Sequence, residues 1–308
     1  MPTHVIVGPP EHGVTEYALE LQKHIGGPVV RATFLDDLPE SVDGDLIHVC
    51  FTDHLFGSSP DEAVQRVLQL ADGHRLSVSF HDVPQQAEGA ERFARRADAY
   101  RELASRADIT VVNSQHEAAF FADTPTTVIP LPLTPSAARV PALAGPDVAI
   151  MGFVYPGKGH EELLRSLAGT GRRVTALGRL ADGHDWLASR LADTARESDI
   201  DFEITGYLSS ADLEALMLAT HVPVCAHRHF SASGSLMKWL SLGRRVLVAD
   251  SPYARELSQR WPGFITLVGD DQWAQALNDL PADYSAPLPA PTDWTWGHVA
   301  RAYEGAWS

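Results

Sequence analysis

The strongest constraint on this chain's fold is an alternation that runs twice. Short stretches rich in Val, Ile and Thr alternate with segments of helical spacing, break at a Pro-rich stretch, and then alternate again. Strands are expected at 4–7, 28–34, 46–51, 76–81, 109–113 and 127–130, with helices at 16–25, 61–71, 90–105 and 115–122 between them. After the break, strands are expected at 148–153, 174–177, 202–205, 222–226, 245–249 and 265–268, again separated by helices. Strands that alternate with helices in this way build βαβ units and a parallel sheet. The reading is therefore α/β, with a doubly wound domain over 1–134, a second over 146–290, and a closing helix within 291–308 that packs back on the first domain. Ligands of such sheets sit beyond the carboxyl ends of the strands. Two such domains facing each other make the cleft between them the expected site. Architecture alone also fits a periplasmic-type binding protein, a kinase or an epimerase.

Charge narrows the partners. The net charge is -16, from 40 acidic against 24 basic side chains. That balance opposes a broad nucleic-acid footprint, which needs a basic face to displace counterions. It equally opposes docking on anionic lipid. Nothing in the sequence approaches the roughly 20 apolar residues of a membrane span. The N-terminus reads as a first strand rather than a signal peptide, so a cytoplasmic protein is expected. Cys50 and Cys225 both fall inside apolar runs and read as reduced, buried thiols.

Motifs carry the reading further. Ile150-Met151-Gly152-Phe153-Val154-Tyr155-Pro156-Gly157-Lys158-Gly159-His160, then Glu162-Leu163-Leu164, follows a strand–loop–helix layout. Gly206-Tyr207-Leu208 precedes a helix and the strand Val222-Pro223-Val224-Cys225. The stretch from Ser231 to Asp250 holds Ser233-Gly234-Ser235 before a helix, and Trp294-Thr295-Trp296 opens the last one. In this order the four segments resemble the donor domain of family 4 glycosyltransferases, enzymes of the GT-B fold with two Rossmann-like domains. In the first half, Gly8–Tyr17 is similar to that family's first βα loop, with Gly13 in place of a glycine pair. His48-Val49-Cys50-Phe51 and Val78-Ser79-Phe80-His81-Asp82 resemble its His-bearing strand ends, and Val111-Val112-Asn113-Ser114 with Glu117-Ala118 a later segment.

The resemblance implies transfer of a sugar from a nucleoside-diphosphate sugar to a soluble small-molecule or glycan acceptor, with retention and without a metal or other cofactor. Charge builds on the leaving phosphate in such a reaction, so fixed positive partners supply much of the catalysis. Lys158 stands at the family's diphosphate-binding position and is one of only three lysines, with Lys23 and Lys238. Small residues opening a helix leave N–H groups for a phosphate, which assigns Ser233, Gly234 and Ser235 to the donor. Gly13, Gly152, Tyr207 and His227 join them on the donor side, with Arg228 beside His227. His81 and Asp82 take the catalytic, acceptor-side roles, since a neutral imidazole donates at one nitrogen and accepts at the other; Asp82 is the residue to orient it or act as a base.

Other patterns have plainer readings. Asp43-Gly44-Asp45 imitates a metal-binding motif but precedes a strand. Cys225, His227 and His229 lack a fourth ligand at zinc spacing. Arg92, Arg95, Arg96 and Arg101 read as a solvated helix face laced with Glu91 and Glu102.

The chain also departs from the family. Its two usual glutamates, eight positions apart, are replaced by Phe230 and Lys238, and the usual Arg after the opening glycine by Phe153. Lys238 is then expected to make a phosphate contact in a divergent enzyme. The rival readings are a non-catalytic nucleotide-sugar or glycan-binding protein on the same fold, and a nucleotide-sugar epimerase.

Overall fold

A computed structural model describes residues 1–39, 41–136, 145–227 and 232–308. The chain divides into two units, Met1–Pro132 with Asp293–Ser308, and Leu133–Thr292. Each is built round its own six-stranded, all-parallel sheet.

The first unit contains β1 (Thr3–Val7), α1 (Gly13–Ile25), β2 (Val29–Ala32), β3 (Leu46–Phe51), α2 (Asp53–Phe56), α3 (Pro60–Leu70), β4 (Arg75–Phe80), α4 (Ala90–Arg106), β5 (Ile109–Val112), α5 (Gln115–Phe120) and β6 (Thr127–Val128). Every residue of β1 and β3 is buried, which is why both read as continuous apolar runs rather than alternating ones. The strand order is β2-β1-β3-β4-β5-β6. The chain winds from β1 outward to β2, then crosses to β3 on β1's other side, where His4 pairs with His48 and Val5 with Val49. The topological switch therefore lies between β1 and β3, and their carboxyl ends frame a crevice.

The second unit contains β7 (Val148–Met151), α6 (His160–Ser166), β8 (Arg173–Leu177), α7 (Trp186–Glu197), β9 (Asp201–Ile204), α8 (Ser210–Ala219), β10 (Val222–Cys225), α9 (Gly234–Ser241), β11 (Val246–Ala249), α10 (Pro252–Arg260), β12 (Ile265–Val268) and α11 (Trp273–Asn278). Its order, β12-β11-β10-β7-β8-β9, puts the switch between β7 and β10. Val222, Pro223 and Val224 there pair with Val148, Ala149 and Ile150.

The last helix, α12 (Trp296–Trp307), belongs to the first unit. Thr295 and His298 cap its start reciprocally. Its inner face is aromatic and sits on the sheet by named bonds. Trp307 Nε1 donates to Ser77 Oγ at 2.9 Å, and Tyr303 OH lies 2.7 Å from Ser79 Oγ and 3.2 Å from Tyr17 OH. His48 lies beneath these rings, 3.0 Å from Ser77 Oγ and edge-on to Trp307. It is a core residue within β3, not a strand-end residue as the sequence layout implied. The Asn113–Glu117 motif is local capping: Ser114 Oγ accepts from Glu117 N, and Asn113 N donates to Glu117 Oε2.

Removing the Trp307 side chain leaves a cavity beside His4 and His48 and an unmade bond at Ser77. Trp307→Ala is expected to destabilise the first unit by about 3 kcal/mol. Denaturant unfolding followed by far-UV circular dichroism, against Tyr207→Ala as a surface control, checks it.

Candidate functional site

Each unit carries a cluster of polar side chains at its own switch point. In the second unit β7 runs into Gly152, whose φ of 111° is open to glycine and strained for other residues. A Cβ there would stand 3.1 Å from Lys158 Nζ. The loop then returns through Gly159, φ 88°, where a Cβ would lie 1.8 Å from the Ala226 carbonyl just past β10. Only glycine lets the two chain segments approach this closely. That approach carries Lys158 into the protein.

Lys158 is 4% exposed, and no carboxylate pairs with it among the described residues. Its Nζ donates to Ser235 Oγ at 3.4 Å. Burial pushes its pKa down from 10.5 to about 8. His160, the next side chain but one, is 3% exposed, with no hydrogen-bond partner at either ring nitrogen. Burial and then the nearby Lys158 push it down to about 3. His227 is also buried, and burial, then Lys158 and His160, hold it well below the usual histidine range.

α9 starts against this cluster. Ser233 is its N-cap, with Oγ accepting from Leu236 N at 3.1 Å and lying 3.0 Å from Ser235 Oγ. The first-turn N–H groups of a helix have no acceptor inside it. A Cβ on Gly234 would meet nothing within 4 Å, so the space over that turn is open. The second-unit cluster thus combines an ammonium, serine hydroxyls, and the positive end of a helix dipole. Groups of this kind in one place have the chemistry to hold an anion.

In the first unit, His12 caps α1 by accepting from Val14 N at Nδ1, 3.3 Å. Its Nε2 lies 2.9 Å from His54 Nε2, across the switch between β1 and β3, and His54 Nδ1 is 3.1 Å from Thr52 Oγ1. Accepting at Nδ1 places the neutral His12 proton on Nε2, pointed at His54. Burial and the neighbouring His54 push His12 down to about 4. Gly13 opens α1 with no φ requirement and free space at its Cβ position. The fold therefore gives no reason for a glycine there, while a ligand close to the backbone would.

His81 follows β4 and is 6% exposed. Its Nδ1 is 3.5 Å from the Asn113 amide nitrogen, its ring meets Tyr17 edge-on, and its Nε2 has no partner. Burial, then His12, push it down to about 4, so it is a neutral imidazole at physiological pH. Asp82 turns the chain in the left-handed region, φ 55°. Its carboxylate accepts from Arg96 Nη2 at 3.0 Å, as does its carbonyl at 2.8 Å, so Asp82 is held by Arg96 rather than orienting His81.

Arg96 corrects a second expectation. Instead of belonging to a solvated face, it is buried and bonds Asp53, Glu88, Asp82 and Tyr100 together. Burial alone favours its neutral form, and Tyr100, Asp82 and Asp53 reverse that. Lys238 is likewise elsewhere than expected: its Nζ is 4.0 Å from Glu214 on α8, in a half-exposed pair. Tyr207 is 83% exposed beyond the edge strand β9, two strands away from β7. Arg228, His229 and Phe230 lie outside the described residues.

Sequence reasoning passed over His160, His12 and His54. The first was legible as the imidazole closing Lys158-Gly159-His160; the other two meet only through the β1–β3 pairing. Among the described residues no group of three His, Cys, Asp or Glu is arranged to hold a metal, and no helix is long and apolar enough to cross a membrane.

No family model matches the chain, and no curated protein matches it in sequence. Solved structures do. The Anabaena protein HepE, crystallised with UDP and glucose, matches with a TM-score of 0.77 at 14% identity, covering 100% of this chain and 99% of that one. The fold is GT-B. Sucrose-phosphate synthase from Thermosynechococcus elongatus matches at 0.67 and 14% identity, over 99% of this chain and 95% of its own. AviGT4, a glycosyltransferase involved in avilamycin A biosynthesis, matches at 0.63 and 16%, over 100% and 97%.

The buried, unpaired ammonium fixes a pH dependence. Between about 8 and 10.5 the unfolded chain holds a proton on Lys158 that the folded chain has released, so stability rises with pH across that window. Below it the folded chain carries the burial penalty in full. Lys158→Met is expected to stabilise the free protein by about 3 kcal/mol at neutral pH, a gain that shrinks above pH ~8. Thermal melts of both proteins across that range check it.

Proposed function

We propose that this chain is a glycosyltransferase that moves a sugar from a nucleoside-diphosphate sugar to a soluble small-molecule or glycan acceptor, with retention and without a metal. The observation that carries this reading is Lys158, buried without a carboxylate beside an open helix N-terminus. A protein that leaves an ammonium unpaired out of water has its stabilising partner in an anionic ligand. The diphosphate provides one. Lys158 Nζ and Ser235 Oγ hold its oxygens, Gly234 and Ser233 present α9 to it, Gly152 leaves room for it, and His160 and His227 wall it with neutral rings.

In the reaction the bond from the anomeric carbon to the β-phosphate oxygen breaks, and its electron pair stays on that oxygen. The acceptor oxygen bonds to the same face of the carbon, and its proton passes to the departing phosphate. Lys158 and the α9 amides stabilise the growing charge where a metal ion serves in other enzymes. With the phosphate as proton acceptor no carboxylate base is required, in keeping with Asp82 being tied to Arg96. His81 offers its Nε2 to an acceptor or sugar hydroxyl.

HepE carries UDP in its crystals, which makes UDP the first nucleotide to try. A UDP-selective thermal shift, tested against GDP, ADP and TDP, is expected for the native chain and not for Lys158→Ala, which should also lose about 10²-fold or more in turnover. A shift with every variant, or with none, contradicts the assignment. Product analysis separates the rivals: an epimerase converts donor without acceptor, and a binding protein consumes neither.

A further inference from the structure

A second cavity lies in the first unit, away from Lys158. It holds about 330 Å³ and is walled by Arg92, Arg95 and Arg96 of α4, by Ser58 and Ser59 before α3, and by Asp53. The chain carries a net charge of -16, yet three guanidiniums line this one space. The three are not equivalent. Arg96 is the buried floor, already committed to Asp53, Glu88 and Asp82. Arg92 shares Glu88 through Nε at 3.3 Å and is otherwise exposed. Arg95 makes no ion pair or hydrogen bond among the described residues. Arg95 thus has no carboxylate partner among the described residues, and Arg92 keeps the part of its fork that Glu88 does not take up.

We propose that this cavity binds the oxyanion of a small phosphorylated or carboxylated molecule. Guanidinium forks match both groups with paired N–H bonds, and the volume suits a ligand of monosaccharide size. Asp53 ties the cavity to the rest of the unit. It stands two residues past β3 and directly before His54, so a ligand anchored by its anion on Arg92 and Arg95 extends toward the His12–His54 pair at the switch point. On the glycosyl-transfer reading above, this makes the acceptor an anionic sugar or hydroxy acid; the binding itself does not depend on that reading.

Inorganic phosphate and acetate, titrated calorimetrically into the full-length Lys158→Ala chain, test the proposal free of the second-unit anion site. Saturable binding of at least one anion is expected, weakened by about tenfold or more for each arginine removed in Arg92→Gln and Arg95→Gln. Both positions are exposed on α4 and glutamine keeps helix propensity, so unchanged melting shows the variants folded. Preference for phosphate assigns a phosphorylated ligand, and preference for acetate a carboxylated one. Absence of saturable binding by either anion, or binding that survives the double substitution, overturns the proposal. UDP binding by the unsubstituted chain is measured separately, so failure of one leaves the other standing.

Discussion

Taking Lys158 out of water without a carboxylate beside it is the constraint on which the second unit's site depends. Glycine at 159 lets the β7 loop press against the end of β10, and glycine at 152 keeps space around the ammonium. The same steric closeness that makes a compact switch point is what buries the charge. Burial then lowers the pKa of Lys158 and keeps His160 and His227 neutral. Free protein holds this arrangement at a loss in stability, and an anion restores it. Binding energy and charge stabilisation come from the same few atoms.

The first unit handles charge in the opposite way. Arg96 is as buried as Lys158, yet three carboxylates and a tyrosine surround it. Such a fully paired network has no capacity left for a ligand and works as a clamp. It fixes the left-handed turn at Asp82, next to His81, and the start of α2, next to His54. His81 and His12 are neutral, and the hydrogen bonds of the three rings run to Asn113, Val14 and Thr52. Neutral rings suit recognition of hydroxyl groups, and the incompletely paired arginines on the rim suit an anion.

The alternation of apolar runs with helical spacing was enough to read both sheets, because parallel strands buried on two faces leave an unmistakable pattern. α2 escaped, since four residues show no helical period. β4 was read one residue late: it runs Arg75–Phe80, and although His81 N still donates to Phe51 O, the left-handed turn at Asp82 ends the strand there. Lys158 was legible through its rarity and its glycine setting. The His12–His54 contact was not, as it joins loops 42 residues apart that only strand pairing brings together. Arg96 was misread because residue type and helical phase report a charge without its partners, and those partners come from two other loops. Lys238 was misread because it lies a full helical turn below Gly234, where Glu214 meets it.

The most direct test of the account is calorimetry of UDP binding at about pH 8.5, in two buffers of different ionisation enthalpy. In the free protein much of Lys158 is neutral at that pH, and a bound diphosphate would draw its proton back. The account predicts net uptake of part of a proton per UDP bound, with none in Lys158→Met. Tight binding without proton uptake, or uptake that persists in Lys158→Met, would contradict the place given to Lys158 at the centre of this site.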